Sequence, residues 1–559
     1  MTNPYDVERS WPDYFLEHRK LFEEGGGQGT YKCGDLPVWT VHAPLGYIGN
    51  STFIVGDDGV IVYDTGIGLE SGALIAEEVR KVTDKPIKAI FYSHHHTDHY
   101  NGTTELVDQA AVDAGDVTIY AWGNFETELA NEFGEILRRQ AMGVAYYGGA
   151  MLPPEEKHHH GIGLHVLGQP SGYIPPTEVL SGDTELTIAG VTLKVFYTGG
   201  EAISEFGIHI PEFDMVIIAD EFFSGYPNMH SIRGSKPRLP ANYMGALQRV
   251  IDIEPEWLLG SHIIPQQGKT EIVETVTRYC DSVQYLWDQS IRLINKGYTP
   301  VELQYALKDM PEYLTQPPFS VSTYGTPFTT VPEFFTGWVS WFSGDATDML
   351  PSPPAHKAKA YVTLMGGVAN VLHAAKQEHA GGDHQLAAEL ASLALRAEPD
   401  NEDAKLLKAA ALRARGYQEL NPIARSWYLS GAMELEGRFD PDQVLKAALR
   451  TFDGAKRSAA QIVGAWRYQL DAQAAGDTQL TVGIRADTSE ELTLRLRNSI
   501  LIIEDGIADD ADVVVAVDVD ALKTPSGASV TAVKGEAADF AKLVGLLDLE
   551  VKGFDMHQR

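Results

Sequence analysis

Cysteine is almost missing: Cys33 and Cys280 are the only two in 559 residues. Their wide separation excludes a disulfide framework and fits a reducing compartment, so the expected location is the cytoplasm. No uncharged apolar run reaches the roughly 18 residues that a membrane-spanning helix needs. The opening residues Met1-Thr2-Asn3-Pro4-Tyr5-Asp6 lack the basic and apolar regions of a secretory signal. Positive charge is scarce as well, with 44 Lys and Arg against 77 Asp and Glu and a formal net charge of −33. Such a surface repels nucleic acid and anionic membranes, which argues against both as partners. Any anionic substrate must therefore be met by local Arg or Lys. A hydrophobic content of 44% and 22% charged residues are ordinary for a globular protein. The length calls for about three or four domains.

Metal-ligating residues, by contrast, are concentrated. Ser93-His94-His95-His96-Thr97-Asp98-His99 contains the pattern His-x-His-x-Asp-His. It follows the apolar run Ile87-Lys88-Ala89-Ile90-Phe91-Tyr92, which reads as a buried strand. Imidazole suits zinc, and carboxylate oxygens accept zinc, manganese or iron. Alternate residues of an extended loop point the same way, so His94 and His96 can serve one metal. Asp98 and His99, beyond the bend, can serve a second. The separate run His158-His159-His160 reads as solvated.

To about Gly268, short apolar strands alternate with Gly- and Asp-rich turns. Val38–Val41, Ser51–Val55 and Gly59–Asp64 read as strands, with Gly56-Asp57-Asp58-Gly59 as a hairpin turn. Leu69–Val82 has helical spacing. Glu185–Ile188, Val191–Tyr197, Phe206–Ile210 and Met215–Ala219 make a second strand set. Two β-rich halves carrying helices predict an αβ/βα sandwich with a site where strand ends converge. Trp122 to Pro176 reads as a long insertion. From about Thr270 to Gly437 the pattern is helical, with an Ala/Leu-rich pair at 386–396 and 402–412 parted by Pro399-Asp400-Asn401. That pair is a candidate dimer surface, or else one layer of an intramolecular bundle. Thr315 to Trp341 reads as an aromatic-rich loop that could line a substrate cleft. From about Asp440 the segments 479–485, 491–497, 500–503 and 513–517 read as strands and Ala538–Leu549 as an amphipathic helix, an α+β module.

Three further strand ends offer ligands. Tyr197-Thr198-Gly199-Gly200-Glu201 is a strand, a tight turn and a carboxylate. Met215–Ala219 runs into Asp220-Glu221, either of which can bridge two metals, and Leu258-Leu259-Gly260-Ser261 ends in His262.

Together these features resemble the metallo-β-lactamase superfamily, and within it the alkyl sulfatases, which carry a helical dimerisation domain and a sterol-carrier-like C-terminal domain. The matching residues are His94 to His99, Thr198 to Glu205, Ala219-Asp220, Asn228, Arg233-Gly234 and Gly260-Ser261-His262, then Arg292 to Pro300, Leu395 to Asn401 and Tyr428 to Ala432. The resemblance implies an α/β catalytic domain over 1–270, an all-α dimerisation domain over 271–437 and a sterol-carrier-like α+β domain over 438–559. It implies a homodimeric, zinc-dependent sulfuric ester hydrolase that releases alcohol and sulfate from alkyl sulfates with a water activated by two zinc ions. His94, His96 and Glu201 would hold one zinc; Asp98, His99 and His262 the other. Asp220, or Glu221 in its place, would bridge. Asn228 and Arg233 match sulfate-binding positions. The stretch Ser235-Lys236-Pro237-Arg238-Leu239-Pro240 departs from the family pattern. Asp98, Asp220 and His230 are the candidate catalytic residues, with Tyr226 and Lys236 as further candidates for a general acid. Another hydrolase of the superfamily, acting on a thioester, lactone or phosphate ester, is the competing enzyme. A lipid-binding scaffold with an idle metal site is the competing non-enzyme.

Overall fold

A computed structural model describes residues 3–8, 28–157, 162–163, 165–316, 319–452 and 457–557. His158, His159 and His160 lie outside them. The chain forms two compact units. One comprises Met1–Glu128, Arg138–Gly454 and Gly553–Arg559, the other Leu129–Leu137 and Ala455–Lys552.

The larger unit begins with a seven-stranded sheet in the order β1 (Gly29–Lys32), β2 (Val38–His42), β3 (Ser51–Val55), β4 (Val60–Tyr63), β5 (Ile87–Phe91), β6 (Thr118–Trp122) and β7 (Glu178–Leu180). The first four strands pair antiparallel, and β4 through β7 run parallel. The anticipated turn closes the β3–β4 hairpin, where the Gly56 N–H donates to the Gly59 carbonyl at 2.9 Å. A second sheet follows from β8 (Thr184–Ile188), β9 (Val191–Tyr197), β10 (Phe206–Ile210), β11 (Met215–Ile217), β12 (Trp257–Leu259) and β13 (Gln266–Gln267). The inner faces share one core, in which Ile54, Ile61 and Phe91 meet Leu193, Ile208 and Ile217. Strand alternation puts Phe196, Val216 and Leu258 on the outer face, under helices Pro240–Ile253 and Lys269–Ile294. This is the expected αβ/βα sandwich.

Two readings change. Thr315 to Trp341 is not all loop: Pro327–Trp338 is a helix, started by the Thr326 side chain accepting from the Thr329 N–H with Pro327 in the first turn. Pro332 within that helix is what makes the sequence look irregular. The 122–176 insertion is partly helical, with Phe125–Glu135 and Leu137–Tyr147. Residues 319–325, before the helix, fold back onto the loop that follows β11. Val321 O accepts from Tyr226 N at 2.6 Å and Gly325 N donates to Tyr226 O at 3.0 Å. The Asn421 amide clamps that loop, donating to Ser322 O (2.9 Å) and Tyr324 O (3.0 Å).

The Ala/Leu-rich helices are His384–Ala397 and Glu402–Gln418, and Asn401 caps the second through the Ala404 N–H. Their small apolar faces, among them Ala387, Ala391, Ala394, Ala404 and Ala411, are buried against each other and against Ala432 and Leu435. That face is spent inside the chain, so the bundle reading holds for it.

The smaller unit is a five-stranded sheet ordered β16 (Ile500–Asp505), β15 (Glu491–Arg497), β14 (Leu480–Ala486), β17 (Val513–Val517) and β18 (Thr531–Lys534). Its helix spans Ala537–Val544 and stops short of the anticipated Leu549. The backbone beyond is taken by another partner: Asp471 N donates to Leu546 O and Asp548 N to Gln469 O. Beside this helix lies an apolar groove of about 900 Å³, lined by Val530, Phe540, Val544, Leu547 and Leu549 among others.

Candidate metal centre

The strands β4, β5, β9, β11 and β12 all end at one edge of the sandwich, and each is followed by a candidate ligand or its support. After β5 the backbone bends at His94, His95 and His96, then closes into the short helix Thr97–Tyr100 that carries Asp98 and His99. After β9 the turn is made by Gly199 in the left-handed region (φ 62°), which delivers Glu201. After β11, Ala219 also has a positive φ of 51°, and Asp64 after β4 one of 62°. Non-glycine residues held there cost on the order of 1–3 kcal/mol each, a strain typical of functional sites.

These turns bring all seven sequence-predicted ligands together, and all are buried. Among these seven, three groups have donor atoms within 4.8 Å of one another: His94, His99 and Asp220; Asp98, His99 and His262; and His96, Glu201 and Asp220. Asp220 Oδ2 lies 2.9 Å from His262 Nε2, 3.6 Å from His99 Nε2 and 3.8 Å from His94 Nε2. His96 Nδ1 is 3.9 Å from Glu201 Oε1. Burial opposes a charge on Asp220, but His262 and His99 hold its carboxyl well below the usual range. Glu221 points elsewhere. Its Oε1 accepts from Gly200 N at 2.6 Å, and it packs against Glu205, whose carboxylate accepts from Asp220 N (2.7 Å) and Glu201 N (3.1 Å). Burial raises Glu221 to about 7.

The donor set fits a divalent metal. Imidazoles and carboxylates are mixed in zinc-like proportion, and His99 Nε2 and Asp220 Oδ1 are buried atoms with no hydrogen-bond partner, facing the cluster. Asp64 supports this arrangement and escaped the sequence reading. One carboxylate oxygen accepts from Ser93 N (2.8 Å). The other takes Ser93 Oγ (2.8 Å), His99 Nδ1 (2.7 Å) and Ser261 Oγ (2.9 Å). With Nδ1–H given to Asp64, His99 presents Nε2 to the cluster. The available signal was an acid at a strand end, the same one that marked Asp220.

The anion-facing side is built from the stretch after β11. Asn228 is buried, and its Nδ2 has no hydrogen-bond partner. Arg233 is half-buried, and its charge acts on Glu201. Arg238, unassigned from sequence, is 7% exposed and donates through one Nη1 to both Glu201 Oε2 and the Asn228 carbonyl. Tyr243 Oη donates to the same Glu201 oxygen at 2.5 Å. Burial nonetheless raises the Glu201 carboxyl to about 8 against the pull of Arg238. Of the acid candidates, Lys236 is committed to Glu128 (2.5 Å), and burial pushes the Tyr226 phenol far up. Burial, then Arg238 and Arg233, lower His230 to about 4, leaving it a neutral imidazole at pH 7 with Nε2 3.5 Å from Glu333.

A family model described as the metallo-beta-lactamase superfamily matches residues 45–262, and one described as alkyl sulfatase dimerisation matches 299–438. A linear primary-alkylsulfatase from Pseudomonas sp. is 32% identical over 513 residues, covering 90% of this chain and 97% of the relative. An (R)-specific secondary-alkylsulfatase from Pseudomonas sp. is 27% identical over 81% of this chain and 69% of its own length. The fold matches that of the stereoselective inverting sec-alkylsulfatase Pisa1 from Pseudomonas sp., with a TM-score of 0.87 at 23% identity over 98% of this chain and 89% of that one. From the extent of these matches, the chain belongs to the alkylsulfatase family of the metallo-β-lactamase superfamily.

Proposed function

We propose that the protein hydrolyses alkyl sulfate esters to an alcohol and inorganic sulfate, with His94, His96 and Glu201 holding one zinc, Asp98, His99 and His262 a second, and Asp220 between them. The observation that carries this reading is Arg238: one guanidinium nitrogen bonds both a ligand carboxylate, Glu201, and the loop that presents Asn228. The ligand cluster and the turn carrying Asn228 are therefore tied together by one buried side chain. Bound zinc supplies Lewis acidity and lowers the pKa of water toward neutrality. The side chains do the rest. Arg233 offers a planar fork to two sulfate oxygens, and the unpartnered Asn228 amide offers one more donor. Together they give the local positive potential that a chain of net charge −33 otherwise lacks. In this reading Asp98 and Asp220 take the proton of the attacking water. His230 would hydrogen-bond the departing oxygen from its neutral ring, and that oxygen leaves as the alcohol by taking up the proton that the water gave to the carboxylates.

The test is sulfate release from a panel of primary and secondary alkyl sulfates, before and after treatment with a zinc chelator. Release is expected to vanish with the metal and return with added Zn²⁺. Because buried carboxylates lose their counter-charges, the midpoint of thermal unfolding is expected to fall as well. Full turnover and an unchanged midpoint after metal analysis reads zero would end the proposal.

The helix Leu137–Tyr147 backs the Arg233 turn. A methyl group added at Gly143 would sit 2.2 Å from Arg233 O, and Gln140 Nε2 donates to Gly234 O at 3.2 Å. Gly143→Ala must push that turn forward, so KM should rise by about tenfold with kcat nearly kept. A normal KM in a folded variant would show that the turn yields freely.

We further assign the catalytic module to 1–270, a dimerisation module to 271–437 that makes the enzyme a homodimer, and a sterol-carrier-like module to 438–559 whose apolar groove takes an alkyl chain. Two free thiols support a cytoplasmic location, and no described helix is long and apolar enough to cross a membrane.

A further inference from the structure

The smaller unit ends at Lys552, and the residues from Gly553 onward belong to the larger unit again. Glu434, 3% exposed on helix Pro422–Leu435, accepts from the Met556 N–H at 2.9 Å and the His557 N–H at 2.8 Å, one to each carboxylate oxygen. Lys408, 7% exposed on helix Glu402–Gln418, donates to the His557 carbonyl. Backbone bonds to buried charged groups are among the stronger ones a protein makes. The His557 ring lies against Tyr146, with centroids 5.8 Å apart and planes inclined by 22°, and against Trp427 at 6.5 Å. Burial, with Lys408 beside it, lowers that imidazole to about 4, so it packs as a neutral ring at pH 7. Gly431 makes the space: a methyl group there would sit 2.5 Å from the His557 ring. Gly431 lies in Tyr428–Ala432, one of the stretches that match the alkyl sulfatases yet supply no metal ligand.

This clamp reaches the Arg233 turn through one helix. Tyr146, whose phenol donates to the same Glu434, belongs to Leu137–Tyr147. Ala141 and Met142 of that helix share an apolar cluster with Phe554 and Met556. The same helix backs the turn: Gly143 lies against the Arg233 carbonyl, and Gln140 Nε2 donates to Gly234 O. It is therefore held between residues 553–557 and the turn that carries Arg233. A packed helix passes a displacement from one neighbour to the next, and misplacing a binding group by about 1 Å can cost on the order of 100-fold.

We propose that residues 553–557 are a latch that sets the Arg233 turn through helix Leu137–Tyr147, with His557 as a positioning residue for sulfate binding. This rests on the alkyl sulfate reading and adds to it a residue that touches neither substrate nor ligands. The test compares full-length wild type, His557→Ala, Gly431→Ala and the double variant. His557→Ala is expected to raise KM for alkyl sulfates about tenfold, with kcat kept within about twofold and inorganic sulfate inhibiting correspondingly less. Gly431→Ala should do the same by pushing the ring out, although alanine is otherwise the better helix residue. In the double variant the added methyl meets no ring, so its KM should match that of His557→Ala alone. An unchanged KM in folded His557→Ala, or Gly431→Ala adding its full factor in the double variant, overturns the latch. Hydrogen exchange on wild type covers the case in which a variant fails to fold. The Met556 and His557 amides should exchange as slowly as those of helix Leu137–Tyr147, and free exchange there overturns the proposal. A wild type that releases no sulfate overturns the alkyl sulfate reading and the role given to His557 with it, whereas protected Met556 and His557 amides would still establish the docking.

Discussion

Asp220→Asn should abolish nearly all sulfate release, a loss of at least about 10³-fold, while Glu221→Gln should retain activity within about tenfold. The two acids are neighbours in the chain and either satisfies a sequence argument for a bridging carboxylate. Their surroundings differ. Asp220 Oδ2 is within 3.8 Å of three imidazole nitrogens, and its Oδ1 has no hydrogen-bond partner. Glu221 faces the Gly200 amide and Glu205. Asparagine keeps the shape of Asp220 and removes its charge, so the imidazoles around it lose the anion that offsets two cations. Elemental analysis should therefore show bound zinc falling together with activity. Glu221→Gln should instead keep its zinc, because the oxygen that accepts from the Gly200 amide is retained and the residue faces Glu205 rather than the imidazoles. A variant pattern in which Glu221→Gln loses metal and Asp220→Asn keeps it would assign the bridge to the wrong residue here.

Arg233→Ala is expected to lower kcat/KM for alkyl sulfates by about 10²- to 10⁴-fold, with zinc content unchanged. The side chain is half-buried beside Arg238, but the two guanidinium groups have different duties. Arg238 is tied to Glu201 and the Asn228 carbonyl, whereas the described hydrogen bond of Arg233 goes to its neighbour's carbonyl, Gly234 O at 3.2 Å. Lysine at 233 should recover only a small part of the loss, since it brings a point charge without the two-pronged geometry. Product inhibition offers a second readout: inorganic sulfate should bind the Ala variant more weakly. Substitution at 238 is expected to act on metal retention first. An Arg233→Ala enzyme with normal KM and normal sulfate inhibition would remove Arg233 from substrate binding.

Much of the cluster was readable because its members are local or end-marked. His94, His96, Asp98 and His99 are fixed by spacing within one strand and one bend. Glu201, Asp220 and His262 each terminate an apolar run, so the sandwich alone carries them to the same edge. What escaped depends on contacts distant in sequence. Asp64 is one acid after one strand, and its four hydrogen bonds come from residues 29 and more positions away. Arg238 acquires its role only when the turn after Arg233 folds back onto Glu201, 37 positions earlier. The fold was legible to the same depth. Strand positions follow alternation and turn chemistry, and helix Leu69–Val82 follows its period. The helix Pro327–Trp338 was misjudged because prolines at 327 and 332 look like breaks, although the first sits where a missing N–H costs nothing.

The loop clamped by Asn421 has a bearing on how this architecture can be taken apart. Residues 319–325 belong by sequence to the helical region, yet their backbone pairs with Gly225 and Tyr226, immediately before Asn228. Support for that turn is thus contributed by a part of the polypeptide that a boundary near residue 270 would discard. A fragment cut there would keep all seven clustered His, Asp and Glu residues and lose the brace beneath the Asn228 turn. Chimeras between relatives would inherit selectivity from whichever parent donates both stretches, so hydrolase and bundle are obliged to diversify together.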